Sequence, residues 1–178
     1  KFLELVNHPD GMNIGMRHIS LSTCGVIPGI KRLSDLGLQL TLSVSLHAPD
    51  DETRTRIMPV NRAYHVDDLF AACHEYFRKT GRRISFEYSM IDGVNDNDWQ
   101  ADLMAKRLKG MPGHINLIPL NAVPERGLQG VTEREVDVFR KALEAKNISV
   151  TRRREMGDDI EGACGQLRRK TLKAMENE

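Results

Sequence analysis

The chain has 178 residues, 40% of them hydrophobic, and is long enough to bury one sizeable core. Its 26 basic and 25 acidic residues leave a formal charge of +1, which excludes an overall electrostatic case for nucleic acid binding. No signal peptide is visible and no apolar run approaches the roughly 20 residues of a membrane helix, so we expect a soluble, cytoplasmic protein.

Segments that alternate between polar and apolar residues predict five strands, at 18–22, 40–47, 83–89, 114–119 and 148–152. Helical spacing predicts helices between them, from Pro28 to Gly37, over 51–58 and 66–79, from Asn97 to Gly110, and after a capping box formed by Thr132 and Glu135. Because strand and helix alternate, we predict an α/β fold with parallel strands and right-handed crossovers, in a single domain over 1–178.

The strands predict a sheet with one polar face, because a parallel strand covered on both faces is normally apolar throughout. The residues expected against the helices are Ile19, Leu21, Leu40, Leu42, Val44, Leu46, Ile84 and Phe86. Those expected on the opposite face are Ser20, Ser22, Ser43, Ser45, His47, Glu87 and Asn116. This pattern favours a barrel or half-barrel with a polar ligand at the carboxyl ends of the strands, near Ser22, Ser45 to His47 and Asn121. A hydrated sheet face without a ligand is the alternative.

The three cysteines, Cys24, Cys73 and Cys164, are odd in number and far apart, which argues against a disulfide framework and favours a reducing compartment. Helical spacing predicts that Cys73 is a core residue. Cys164 lies among small residues directly before a helical pattern that begins at Gln166. A reactive thiolate at a helix N-terminus and a buried spacer are both compatible with this placement.

Basic residues are concentrated near Cys164. From Arg152 to Lys173 there are seven basic residues and four acidic ones, a local excess of three. A phosphate-binding patch and a solvated helix face explain this excess equally well.

Five tracts together resemble the RlmN/Cfr family of radical S-adenosylmethionine (SAM) methyltransferases, which modify an adenine of large-subunit ribosomal RNA. The tracts, in family order, are 20–25 (SLSTCG), 45–49 (SLHAP), 88–96 (YSMIDGVND), 115–121 (INLIPLN), and 157–160 (GDDI) with 163–167 (ACGQL). Each tract is a weak signal by itself, but the five in order cover almost the whole chain.

The resemblance implies a partial (β/α) barrel of the radical SAM type, with about five parallel strands present and the N-terminal strands and cluster loop missing. It implies that Ser22, Ser45, Leu46, His47 and Asn121 contact SAM. It also implies that Cys164 becomes S-methylated, in a C-terminal region (151–178) made of a strand, a cysteine loop and a basic helix. In such enzymes a radical made from a second SAM activates this S-methyl group for transfer to adenine.

The chain departs from the family pattern because the CxxxCxxC motif that binds a [4Fe-4S] cluster is absent, as are the resolving cysteine and the RNA-docking region. The chain begins at Lys1 within an amphipathic segment, so we expect a C-terminal fragment that holds no metal ligands and is inactive alone. The expected partners are ribosomal RNA, with transfer RNA as a further possibility, and an electron donor for the cluster.

Two other functions remain open from the residues alone. One is a barrel enzyme acting on a small metabolite, with Cys164 as nucleophile and His47 as base. The other is a non-enzymatic RNA-binding module that uses Arg152–Arg154 and Arg168–Lys170.

Overall fold

The computed structural model describes residues 1–121 and 127–153. The strands of these ranges are β1 (Ser20–Thr23), β2 (Thr41–Ser45), β3 (Ile84–Met90), β4 (Gly113–Pro119) and β5 (Ser149–Arg152). The α-helices are α1 (Phe2–Asn7), α2 (Ile27–Asp35), α3 (Asp51–Ile57), α4 (Val66–Thr80), α5 (Asp98–Leu108) and α6 (Glu133–Glu144). Short 3-10 helices span Met16–His18 and Pro59–Arg62.

The five strands form one parallel sheet in the order β1-β2-β3-β4-β5. Each strand therefore pairs with the next strand in sequence, and within residues 1–121 and 127–153 nothing pairs with the outer edges of β1 and β5. The predicted α/β fold is confirmed, and the open sheet agrees with a partial barrel.

The hydrophobic core lies between one face of the sheet and the helices. Leu42, Val44, Ile84 and Phe86 are completely buried, as the alternation predicted, and so is Cys73 on α4. Aromatic rings join the two layers. Phe70 of α4 stacks on Phe86 at 5.4 Å between ring centroids, and Phe139 of α6 stacks on Tyr88 at 5.5 Å.

The predicted helix starts are confirmed by their hydrogen bonds. Asp50 caps α3, because its Oδ1 accepts from the Thr53 N–H at 2.7 Å. At the start of α6 the Thr132 N–H donates to Glu135 Oε2 at 2.6 Å, which completes the predicted capping box.

Two strand boundaries differ from the sequence predictions by two residues, and the others agree to within one residue. The 3-10 helix at Met16–His18 delays the start of β1 to Ser20. β2 ends at Ser45 because His47 adopts the left-handed conformation, with φ at 59°, and an extended strand cannot continue through that geometry. The predicted helix from Gln166 and the cysteine loop before it lie outside the described residues.

Candidate functional site

The face of the sheet opposite the helices is polar, as predicted. One row of paired residues across all five strands consists of Ser22, Ser43, Ser85, His114 and Ser149. The next row toward the carboxyl ends contains Ser45, Glu87, Asn116 and Thr151. A sheet face made of these side chains can hydrogen-bond to a polar ligand but offers it little apolar contact.

The polar side chains of this face are linked by hydrogen bonds. The Glu87 carboxylate accepts from Asn116 Nδ2 at 2.8 Å and from Ser85 Oγ at 3.2 Å. Asn116 Oδ1 in turn accepts from Thr151 Oγ1 at 3.3 Å. This network fixes the orientation of the Glu87 carboxylate on the open face.

The backbone after β2 makes an unusual turn at the carboxyl edge. The N–H groups of Leu46 and His47 both donate to the Glu87 carbonyl of β3, at 3.0 and 3.2 Å. The Leu46 side chain is completely buried on the helix side. Ser45 and His47 are half-buried and flank it.

The imidazole of His47 is held in one tautomer. Its Nδ1 lies 2.9 Å from the backbone nitrogen of Ser89, and a backbone N–H can only donate, so Nδ1 is the acceptor. Burial, and secondarily the positive charge of Arg54, lowers the pKa of His47 from 6.5 to about 4. At neutral pH the ring is therefore uncharged, with its proton on Nε2, which is a hydrogen-bond donor.

The proposed role of His47 as a general base conflicts with this geometry. The only ring nitrogen with a lone pair in this tautomer already accepts from Ser89. A pKa near 4 is also poorly matched to proton abstraction at neutral pH. The alternative function, a thiol-dependent enzyme acting on a small metabolite, therefore lacks the general base that it requires.

Two residues that the sequence analysis did not single out support this turn, Arg54 of α3 and Asn95 of the loop after β3. Both side chains are completely buried. Arg54 Nε donates to the Leu46 carbonyl at 3.1 Å, and Asn95 Nδ2 donates to the His47 carbonyl at 2.7 Å. A signal for Asn95 existed, because it lies within the tract 88–96, whereas Arg54 falls in a charged helix with no marker of burial.

The remaining residues chosen from the sequence lie in different parts of the chain. Ser22 is an exposed residue of β1, one row below Ser45 toward the amino ends. Asn121 is half-buried two residues after β4. Cys164 lies outside the described residues.

A cavity of about 460 Å³ also lies on the polar face, but toward the amino ends of the strands. Its lining includes Ser20, Thr41, Arg82, Arg83 and His114. The carboxyl edge remains the better candidate site, because ligands of parallel α/β sheets bind there and because the oriented His47 donor lies there.

Residues 1–121 and 127–153 contain no cluster of three or more histidine, cysteine, aspartate or glutamate side chains able to hold a metal ion. Within the same ranges, no helix has both the length and the apolar character needed to cross a membrane.

Comparison with known proteins places this sheet among radical SAM enzymes. A radical SAM methyltransferase from Sphaerobacter thermophilus superposes with a TM-score of 0.86 at 43% identity, over 92% of this chain and 48% of that one. A domain of pyruvate-formate lyase-activating enzyme from Bacteroides vulgatus ATCC 8482 shares the fold, with a TM-score of 0.55 at 16% identity over 75% of this chain. The class is therefore an α/β protein with the open parallel sheet of radical SAM enzymes.

Sequence relatives narrow the class. A probable dual-specificity RNA methyltransferase RlmN from Thermoanaerobacter sp. (strain X514) is 53% identical over 173 residues, which cover 97% of this chain and 51% of the relative. The protein of the same name from Clostridioides difficile (strain 630) is 51% identical over 96% of this chain and 50% of its own length. No protein-family model matches the sequence. The chain belongs to the RlmN family, and it spans about half the length of the curated relatives that it matches.

Proposed function

We propose that this chain forms the SAM-holding part of a radical SAM enzyme that methylates an adenine carbon of 23S ribosomal RNA in the cytoplasm. The observation that carries the proposal is the oriented, uncharged imidazole of His47, at the carboxyl edge of a sheet whose sequence relatives include RNA methyltransferases. Transfer RNA is a second candidate substrate, and the relatives' name, dual-specificity RNA methyltransferase, is compatible with more than one RNA substrate.

The residues at the carboxyl edge fit the polar groups of SAM. His47 Nε2–H would donate to a ribose hydroxyl or carboxylate oxygen, and the hydroxyls of Ser22 and Ser45 can donate or accept. Asn121 would add an amide after β4. Leu46 would contribute through its backbone, because its side chain is buried on the helix side.

A first SAM would supply a methyl group, and a second SAM, bound next to a reduced [4Fe-4S] cluster, would supply a radical able to take hydrogen from a carbon. The described residues offer no set of cluster ligands, so the cluster would be held elsewhere in the full-length protein and reduced by an electron donor. The residues of this chain bind and orient SAM and exclude competing reactions. Cys164 would accept the methyl group on its sulfur. Without the cluster, this chain alone would be inactive.

The test is mass spectrometry of Cys164 in the complete gene product isolated from cells. We expect a mass increase of one methyl group on the Cys164 peptide. Cys164→Ala should abolish methylation of 23S ribosomal RNA, whereas Cys24→Ser, at an exposed cysteine, should leave it unchanged.

An unmodified Cys164, together with normal RNA methylation by Cys164→Ala, would refute the S-methylcysteine route. Binding of RNA without methylation, unaffected by Cys164→Ala, would instead indicate the non-enzymatic RNA-binding module.

A further inference from the structure

The conformation of His47 requires support from its surroundings. A φ of 59° lies in the left-handed region, which residues other than glycine adopt infrequently. Such conformations persist where neighbouring contacts determine them and are concentrated at functional sites. The contacts around His47 are therefore informative about the site.

Arg54 supports the end of β2 from the β1 side. Its Nη2 donates to the Cys24 carbonyl at 2.8 Å and to the Ser45 carbonyl at 3.2 Å, and its Nε donates to the Leu46 carbonyl. One guanidinium thus fixes the chain directly after β1 together with the last residues of β2. The approach is close, because a Cβ on Gly25 would lie 3.0 Å from Arg54 Nη2.

The burial of Arg54 is poorly explained by stability alone. Its hydrogen-bond partners are carbonyl groups and the Asn61 side chain, and Asn61 links it to the Asp51 carboxylate through a 2.8 Å bond. A buried charge without a direct counter-ion is costly, and an apolar side chain of similar size is often the more stable choice. The geometry that the guanidinium imposes on the carbonyl groups of Cys24, Ser45 and Leu46 explains why an arginine occupies this position.

Asn95 supports His47 from the β3 side. Its Nδ2 donates to the carbonyls of His47 and Ser89, at 2.7 and 2.6 Å, and its Oδ1 accepts from the Ile91 N–H at 2.7 Å. The Tyr88 hydroxyl donates to the Asn95 carbonyl at 2.7 Å and holds the loop in place. Asn95 thus fixes the backbone of His47 while the adjacent Ser89 N–H fixes its ring.

We propose that Arg54 and Asn95 are positioning residues, which hold the end of β2 so that the His47 ring presents its Nε2–H to the ligand. Together they form a two-sided clamp, with Arg54 acting from the β1 side and Asn95 from the β3 side. Among the described residues Nε2 has no partner, so it is the ring atom left for binding. The inference rests on the proposed function, in which the ligand at this edge is SAM.

The first test is Asn95→Asp in the complete gene product, with Asn97→Asp as the matched control. The aspartate keeps the size of Asn95 but places an oxygen against two carbonyls, whereas Asn97 is exposed at the start of α5. We expect SAM affinity, measured by calorimetry, to fall about tenfold or more in Asn95→Asp and to stay unchanged in Asn97→Asp. The ¹⁵N signals of the His47 ring should change from the Nε2–H tautomer to a mixture.

A milder pair of variants covers the case in which Asn95→Asp fails to fold. Tyr88→Phe removes the hydroxyl that holds Asn95, and Tyr76→Phe removes an equally buried hydroxyl that donates to Leu40 at the amino end of β2, at 3.3 Å. We expect weaker SAM binding and a mixture of His47 tautomers only in Tyr88→Phe.

The proposal is overturned if Tyr88→Phe and a folded Asn95→Asp keep both the SAM affinity and the ring signals of the wild type. It is equally overturned if Tyr76→Phe has the same effect as Tyr88→Phe. A wild-type protein that does not bind SAM would refute the proposed function, while the ring signals would still report on the clamp.

Discussion

At the scale of single residues, the chemistry of His47 is determined by its neighbours. The Ser89 N–H occupies Nδ1, and burial with the nearby Arg54 lowers the pKa of the ring to about 4. The folded chain therefore holds this histidine uncharged in a pH range where the unfolded chain protonates it. Part of the pH dependence of stability should therefore come from this side chain.

We predict that His47→Asn reduces the loss of stability at acidic pH. Because the folded pKa lies below the unfolded value of 6.5, stability is fully present above 6.5 and falls as the pH drops toward 4. Between pH 7 and pH 5 the wild type should lose about 2 kcal/mol more than the variant, as measured by urea unfolding. Asparagine also tolerates a positive φ, which limits other effects of the substitution.

Replacement of an exposed histidine is the control. His18→Asn should follow the wild-type pH dependence. If His47→Asn has the same pH dependence as the wild type, folding does not lower the pKa of this ring, and the contacts around it do not hold it in the uncharged form.

The sequence proposed Ser45 and His47 as candidate site residues but did not indicate the contacts that orient them. Alternation along β2 placed Ser45 and His47 on the polar face, because that pattern is local. The left-handed turn at His47 depends on β3 and on Asn95, which lies 48 positions further along the chain. Arg54 could not be found from periodicity, because a charged residue in a short helix is normally expected at the surface.

At the scale of elements, Gln129 and Gly130, which precede α6, are fixed against the loop after β3. Ile91 and Gly130 form an isolated antiparallel bridge, and the Asp92 N–H donates to the Gln129 carbonyl at 3.0 Å. Gly130 also lies against the end of β4, where a Cβ would be 2.0 Å from the Leu120 carbonyl oxygen. This packing fixes the backbone next to Asn121.

We predict that Gly130→Ala is strongly destabilising, by about 3 kcal/mol, because its Cβ meets backbone atoms that cannot move independently. Gly93→Ala is the comparison. Gly93 has a φ of 63° with open space around it, so its cost should be about 1 kcal/mol, from conformation alone. Urea unfolding of both variants measures the difference, and equal costs would show that the Gly130 loop can shift.

At the scale of the whole molecule, the fold was more predictable than the site. Five alternating strands separated by helical patterns indicated a parallel sheet, and the capping residues Thr132 and Asp50 located two helix starts. The strand order and the open edges follow from pairing between distant segments, which no local pattern contains. The polar face was predicted from alternation along single strands. In the structure it is formed by rows of paired polar residues that run across the sheet.

We predict that backbone amide exchange is slowest in β3 and fastest in the edge strands β1 and β5. β3 has partners on both sides, and its inward residues Phe86 and Tyr88 are completely buried, whereas each edge strand has one partner in the part of the chain that the structure describes. Hydrogen–deuterium exchange with mass spectrometry measures this directly. Protection of β1 equal to that of β3 would show that something covers the open edge, such as a second copy of the chain.

The strictly sequential strand order also bears on how the chain is made. Among the described strands, each of β2 to β5 pairs with the strand synthesised just before it, so none of these four has to wait for a distant partner to leave the ribosome. The sheet can be extended one βα unit at a time, with the newest strand always at the growing edge. The turn at His47 would then form only after β3 and the loop that contains Asn95 have emerged from the ribosome. The carboxyl edge of the sheet would therefore be completed later than β2 itself.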